Sequence, residues 1–96
     1  MFNEISAHKV QEMVEEDSVI VVDIRDPDSY SAGHIPNAVS LNNTNVKEFI
    51  ENADKEKPLV VCCYHGISSR GAAEHLSQNG FKEVYSMTGG FDAWPD

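Results

Sequence analysis

Two short apolar runs, VIVVDI at 19–24 and LVVC at 59–62, limit the folds open to this chain. Both are continuous rather than alternating, and most of their residues are β-branched or long aliphatic. A strand with one wet face alternates apolar and polar side chains. A strand that is apolar at every position is covered on both faces, as in a parallel sheet packed between helices. Both runs are far too short to cross a bilayer.

The segments between these runs have helical period or turn chemistry. Residues 7–16 (AHKVQEMVEE) predict a helix capped by Ser6, with Val10, Met13 and Val14 on one face. Arg25-Asp26-Pro27 ends the first buried strand, and DSYSAG predicts one or two helical turns stopped by Gly33. A short strand is expected at 38–41 and a short helix at 45–53, with Val46, Phe49 and Ile50 inward. After the second buried strand, residues 69–79 predict a helix with Ala72, Ala73 and Leu76 facing the sheet, stopped at Asn79-Gly80. A further strand is expected at 83–86, then a tight turn at Thr88-Gly89-Gly90 and one last helical turn in FDAW. Strands alternating with short helices define an open α/β sheet. Ninety-six residues are room for one domain, expected to span 1–96.

Charge excludes several functions. Sixteen acidic residues against seven basic ones give a net charge of -9, and no stretch gathers several Lys or Arg. Such a surface repels nucleic acid and anionic membranes, so neither is an expected partner. The N-terminus, MFNEISAHKV, lacks the basic and apolar segments of a signal peptide, and cytoplasm is the expected compartment. The only two cysteines, Cys62 and Cys63, are adjacent, which disfavours pairing with each other and fits a reducing compartment. With four scattered histidines they make no zinc-like spacing; no metal or other cofactor is expected.

In open α/β sheets the ligand crevice lies beyond the carboxyl ends of the strands. Two segments leave buried strands there, DIRD at 23–26 and CYHGISSR at 63–70. In the second, Cys63 is the first residue past the strand and a helix begins near Ser69. A turn in this place can aim several backbone N–H groups at the sulfur, and the helix adds the positive end of its dipole. Both favour a thiolate. Gly66 supplies backbone freedom in mid-turn. Ser68 and Ser69 can cap helix N–H groups or donate hydroxyls to an anion. Arg70 stands in the first helical turn, where the dipole disfavours a cation; it attracts an oxyanion, or pairs on the surface with Glu74. His65 is a site residue, or a loop residue held to the backbone. Cys62 ends the apolar run and is expected inside, as a small hydrophobe.

Three segments in register resemble the signatures of the rhodanese (thiosulfate sulfurtransferase) family, in particular its single-domain, bacterial glycerol-regulon branch. They are VDIRDPDSYSAGHIPNA at 22–38, VVCCYHGISSRG at 60–71 and GGFDAW at 89–94, and the likeness runs over nearly the whole chain. The resemblance implies a rhodanese-like open five-stranded parallel sheet with helices on both faces. Its first strand would lie near Phe2–Ser6, where the residues alone predict none. It implies that Cys63 attacks the outer sulfur of thiosulfate, that sulfite leaves, and that the Cys63 persulfide passes its sulfur to cyanide or to a dithiol such as thioredoxin. It further implies that the backbone N–H groups of Tyr64, His65, Gly66, Ile67, Ser68 and Ser69 cradle the persulfide. Asp23, Arg25, Gly33 and His34 would brace the fold, with Phe91 and Trp94 closing the core. Two departures stand out. Many family members carry a basic residue after the nucleophile; here it is Tyr64, leaving positive character to Arg70 and the backbone. The sequence also stops at Asp96, so a final helix is expected to be absent or short.

Two other functions compete. A cysteine phosphatase or arsenate reductase places five residues between its cysteine and an arginine that grips the oxyanion bidentately. Here position 69 is Ser and Arg70 comes one residue late, and the loop holds no aspartic general acid. A sulfur-carrying or protein-binding module with no turnover of its own would use the same residues as the transferase, and differs in turnover alone.

Overall fold

The computed structural model describes residues 1–95. Five strands and four helices alternate: β1 (Asn3–Ile5), α1 (Ala7–Glu15), β2 (Ile20–Asp23), α2 (Pro27–Ala32), β3 (Val39–Ser40), α3 (Val46–Asn52), β4 (Leu59–Cys62), α4 (Ser68–Ser77) and β5 (Val84–Met87), followed by a 3-10 turn at Gly90–Ala93. All strand pairs are parallel, in the order β1-β5-β4-β2-β3. No helix among the described residues is long and apolar enough to cross a membrane.

The two apolar runs become β4 and β2, two of the three interior strands, and every residue of β4 is buried. Side chains alternate across a strand, so each run feeds two cores. Val21, Val60, Cys62 and Met87 pack on one face with Ala7, Val10 and Ile35. Val22, Leu59, Val61 and Val84 pack on the other with Ala73, Leu76 and Phe81. Tyr30, Phe91 and Trp94 close onto the first core, and Val46, Phe49 and Ile50 onto the second. The caps follow the residues: Ser6 Oγ accepts from Lys9 N–H at the start of α1, and Asp26 accepts from Ser29 N–H at α2, with Pro27 in the first turn.

Several expectations change: the strand expected at 38–41 is only Val39–Ser40, and the helix expected at 45–53 is Val46–Asn52. A first strand exists, as the resemblance implies, but it is a three-residue edge strand with Asn3 and Glu4 exposed, too short and too polar to stand out in the sequence. The last strand is shifted one residue, to Val84–Met87, because Met87 is drawn into pairing with Ile5 of β1. The helix expected at 69–79 starts at Ser68 and ends at Ser77, with Gln78 as its C-terminal cap. The chain beyond Pro95, on which the expectation of a shortened final helix bears, lies outside the described residues.

Candidate active site

The carboxyl ends of β4 and β2 lie side by side, in register at Asp23 and Cys62. The period of two that builds the strands separates the two cysteines. Cys62 points into the first core, fully buried beside Asp23 and Arg25, and its thiol is pushed up to about 12, by burial first and then by the Asp23 charge. Cys63 is the next residue, and the loop wraps around its sulfur. Gly66 N–H donates to Sγ at 3.1 Å and Ser69 N–H at 3.3 Å. The side chain is enclosed, since Cys63 is only 2 % exposed. Burial alone would raise its pKa, but the Ser69 hydroxyl and the N–H groups of Ser69, Gly66 and His65 outweigh it and hold the thiol below its ordinary range.

The start of α4 explains part of this. Ile67 is the N-terminal cap residue and has no side-chain capping bond. The Ser69 N–H, one of the first orphan donors of the helix, is given to the sulfur instead. Cys63 thus takes the place of a capping side chain, and a negative sulfur there meets the positive end of a ten-residue helix. The sequence left two roles open for the serines; neither serine caps the helix, and the Ser69 hydroxyl acts on the Cys63 sulfur instead. Ser68 is exposed, and the buried Ser69 hydroxyl lies 2.7 Å from Ser86 Oγ on β5. A capping side chain at either position would compete with the sulfur for the same N–H groups.

The back of the loop is fixed by the Gly-Gly turn. Phe91 N–H donates to the Cys63 carbonyl at 2.7 Å and Asp92 N–H to the Tyr64 carbonyl at 3.2 Å. Across a trans peptide, the C=O of one residue and the N–H of the next point in opposite directions. Anchoring these two carbonyls to the turn therefore aims the N–H groups of Tyr64 and His65 away from it. The packing leaves no room for a side chain: a Cβ on Gly90 would lie 2.5 Å from the Tyr64 carbonyl carbon and 2.6 Å from the Cys63 oxygen. Gly66, at φ +88°, faces the same turn, and a Cβ there would lie 2.7 Å from Gly89 N.

Other predicted site residues stand at the rim. Ile67 is 70 % exposed, and Tyr64 is also exposed. The Tyr64 hydroxyl lies 3.3 Å from Ser29 Oγ and 3.4 Å from Asp26 N, so the tyrosine bridges to α2. Its ring lines an open, mostly apolar groove of about 690 Å³ whose wall also includes Ile24, Leu41, Val46 and His75. Cys63 does not line this groove. His65 is held by a side chain rather than by backbone, with Nδ1 2.7 Å from Asp92 Oδ2. Arg70 pairs with Glu4 of β1 at 3.8 Å, not with Glu74, and no guanidinium is among the hydrogen-bond partners of the Cys63 sulfur. Asp92 and Ser86 are the polar groups that sequence reading passed over. Asp92 lay inside the GGFDAW signature, and Ser86 was a small polar residue in an otherwise apolar strand.

The brace expected from the first signature is present. Arg25 bonds both carboxylate oxygens of buried Asp23, then reaches the Gly33 carbonyl at 2.7 Å. Its guanidinium stacks 4.1 Å from the Phe91 ring centroid and lies 6.0 Å from that of Tyr64. His34 stacks on Tyr30 and bonds its carbonyl.

The site thus sits in a five-stranded parallel α/β sheet whose central strand leads into a cysteine whose sulfur accepts from loop amides. A family model described as "Rhodanese-like domain" matches residues 6–96, and the chain belongs to that family. Over 93 residues it is 52% identical to the thiosulfate sulfurtransferase GlpE of Shewanella oneidensis, covering 97% of this chain and 92% of that protein. The GlpE protein of Coxiella burnetii is 49% identical over 94 residues, at 98% and 88% coverage. Among solved structures, a rhodanese-like domain protein from Staphylococcus aureus superposes with a TM-score of 0.84 at 25% identity, covering 99% of this chain and 93% of that one.

Proposed function

We propose that this protein is a thiosulfate sulfurtransferase, with Cys63 as its nucleophile. The supporting observation is the Cys63 sulfur itself, enclosed, lowered in pKa, and held by the N–H groups of Gly66 and Ser69. The lowered pKa favours the thiolate, and a thiolate needs no general base to attack the outer sulfur of thiosulfate. The S–S bond of thiosulfate breaks, sulfite leaves with the bonding pair, and Cys63 becomes a persulfide. The N–H groups of Tyr64, His65, Ile67 and Ser68 are assigned to the outer sulfur, which extends past Sγ toward the rim. Arg70 lends long-range positive potential, reduced by its pairing with Glu4. A thiophilic acceptor then takes the sulfur: cyanide in an assay, or a dithiol such as thioredoxin in the cell. Cytoplasm is the proposed compartment, and neither nucleic acid nor membrane is a proposed partner.

The nearness of this family to GlpE-type transferases supports turnover over passive sulfur carriage. The placement of Ser69 in the buried cradle, where an oxyanion-gripping enzyme would need its arginine, argues against phosphatase or arsenate reductase chemistry. Intact mass spectrometry after mixing with thiosulfate is the direct test. The expected result is one added sulfur atom on Cys63, removed by cyanide with formation of thiocyanate. An unchanged mass in wild-type protein, or a sulfur that stays attached when Cys63 is replaced by Ser, overturns the assignment.

A further inference from the structure

The loading step moves no proton, but discharge to a thiol must move one as the new bond forms. A thiol acceptor arrives as R–SH, and its sulfur must shed that proton to attack. The Cys63 cradle offers only donors, so the proton needs another home. His65 lies two residues from Cys63, at the exposed rim, and its Nδ1 is 2.7 Å from Asp92 Oδ2. A carboxylate only accepts hydrogen bonds, so Nδ1 carries the hydrogen, and in the neutral ring Nε2 carries the free lone pair. The tautomer is thus set by Asp92. The position is set as well, because the Asp92 backbone N–H is bonded to the Tyr64 carbonyl and one short turn fixes both residues to the loop. Both side chains are about two-thirds exposed, 68% for His65 and 71% for Asp92, so an acceptor can reach the ring. The Tyr64 ring stands beside it, centroid to centroid 6.3 Å. Within the loop from Tyr64 to Arg70, His65 has the only imidazole, the one side chain there with a nitrogen lone pair that can take up a proton and return it.

We propose that His65, oriented by Asp92, is the proton acceptor for thiol acceptors of the Cys63 persulfide. This deepens the proposed function and rests on it. The acceptor sulfur forms a bond to the outer sulfur as the bond from that sulfur to Cys63 Sγ breaks. Cys63 leaves as the thiolate with the bonding pair. The thiol proton passes to His65 Nε2 and from there to the new persulfide, so that R–SH and Cys63–S–S⁻ become R–S–SH and Cys63–S⁻. No external oxidant or reductant takes part. Sulfite is the control, because sulfite dianion attacks the same sulfur, regenerates thiosulfate and sheds no proton.

The test uses full-length wild-type protein, Asp92→Asn and His65→Ala, each loaded with thiosulfate and freed of excess. Discharge by 2-mercaptoethanol and by sulfite is followed by intact mass. The expected result is a fall of at least tenfold in the thiol-to-sulfite rate ratio in both variants, within the range general bases contribute. Added imidazole is expected to restore thiol discharge in His65→Ala. General damage to the loop slows both acceptors and leaves the ratio unchanged, so an unchanged ratio, or a lack of imidazole rescue, overturns the proposal. If thiosulfate leaves no persulfide on the wild-type protein, the proposed function itself fails. A persulfide that forms, with the ratio unmoved, removes only the role of His65 and Asp92.

Discussion

Cys62 and Cys63 are covalent neighbours whose thiols are shifted in opposite directions, and the difference is one of facing. Cys62 looks into the core, where burial raises it to about 12. Cys63 looks into the amide ring, where hydrogen bonds overcome burial and lower it. Linkage turns this into two opposite pH dependences of stability. An unfolded cysteine titrates near about 8.5. Above that pH the unfolded state loses the Cys62 proton while the folded state keeps it, so stability falls by about 1.4 kcal/mol per pH unit. For Cys63 the folded state loses its proton first. Stability is therefore gained as pH rises through the folded pKa toward about 8.5, and lost again as pH falls. Urea denaturation of wild type, Cys62→Ala and Cys63→Ser across pH separates the two. Wild type minus Cys62→Ala should be flat below about pH 8.5 and decline above it, and wild type minus Cys63→Ser should rise and then level. Slopes of the same sign for the two differences would show that the thiols share one environment. Sulfur transfer should vanish in Cys63→Ser and survive in Cys62→Ala.

The loop between β4 and α4 is shaped by elements that meet it from behind. Its shape depends on the Gly-Gly turn after β5, where Gly90 at φ +61° touches residues 63–65. Gly90→Ala adds a Cβ against backbone that cannot yield as a side chain can, and forces a residue with a Cβ into the left-handed region. The expected cost is about 2–3 kcal/mol by chemical denaturation, with iodoacetamide alkylation of Cys63 shifted to higher pH as the cradle opens. Gly71 is the contrast, because a Cβ there meets nothing within 4 Å in the interior of α4. Gly71→Ala should stabilise the protein by about 0.5–1 kcal/mol and leave alkylation unchanged. Equal effects of the two substitutions would refute a specific role for the turn. The same comparison shows where the sequence was readable. Buried strands, Cys63 at a strand end and Gly66 in the turn are local features, and composition and spacing along one stretch of chain reveal them. The bonds from Phe91 and Asp92 back to residues 63 and 64 are not local, and nothing in GGFDAW alone says which carbonyls it will hold. Nor does the serine-rich start of α4 reveal that the sulfur takes the capping place. Serine is a favoured cap on propensity, and only the three-dimensional approach of Cys63 displaces it.

Across the whole molecule, one buried ion pair connects the first signature, the site loop and the chain end. Asp23 lies at the carboxyl end of β2, fully buried, and Arg25 satisfies both of its oxygens. The same guanidinium holds the Gly33 carbonyl after α2 and stacks on Phe91, whose own N–H anchors Cys63. Removing the arginine leaves a carboxylate buried with little beyond the Arg25 backbone N–H as partner. Breaking a buried pair from one side typically costs about 3–5 kcal/mol. For a domain of this size, Arg25→Met should therefore lower Tm by more than about 10 °C. The double variant Asp23→Leu with Arg25→Met removes both charges, and should be less destabilised than Arg25→Met alone, because no uncompensated carboxylate remains. Persulfide formation should fall in both, since each loses the cation that seats Phe91 against the loop. A folded Arg25→Met within about 1 kcal/mol of wild type would mean that the pair is dispensable and that the loop and the chain end are held together by packing alone. Full sulfur transfer in the double variant would separate stability from site geometry, which the shared contacts of Arg25 predict to be inseparable.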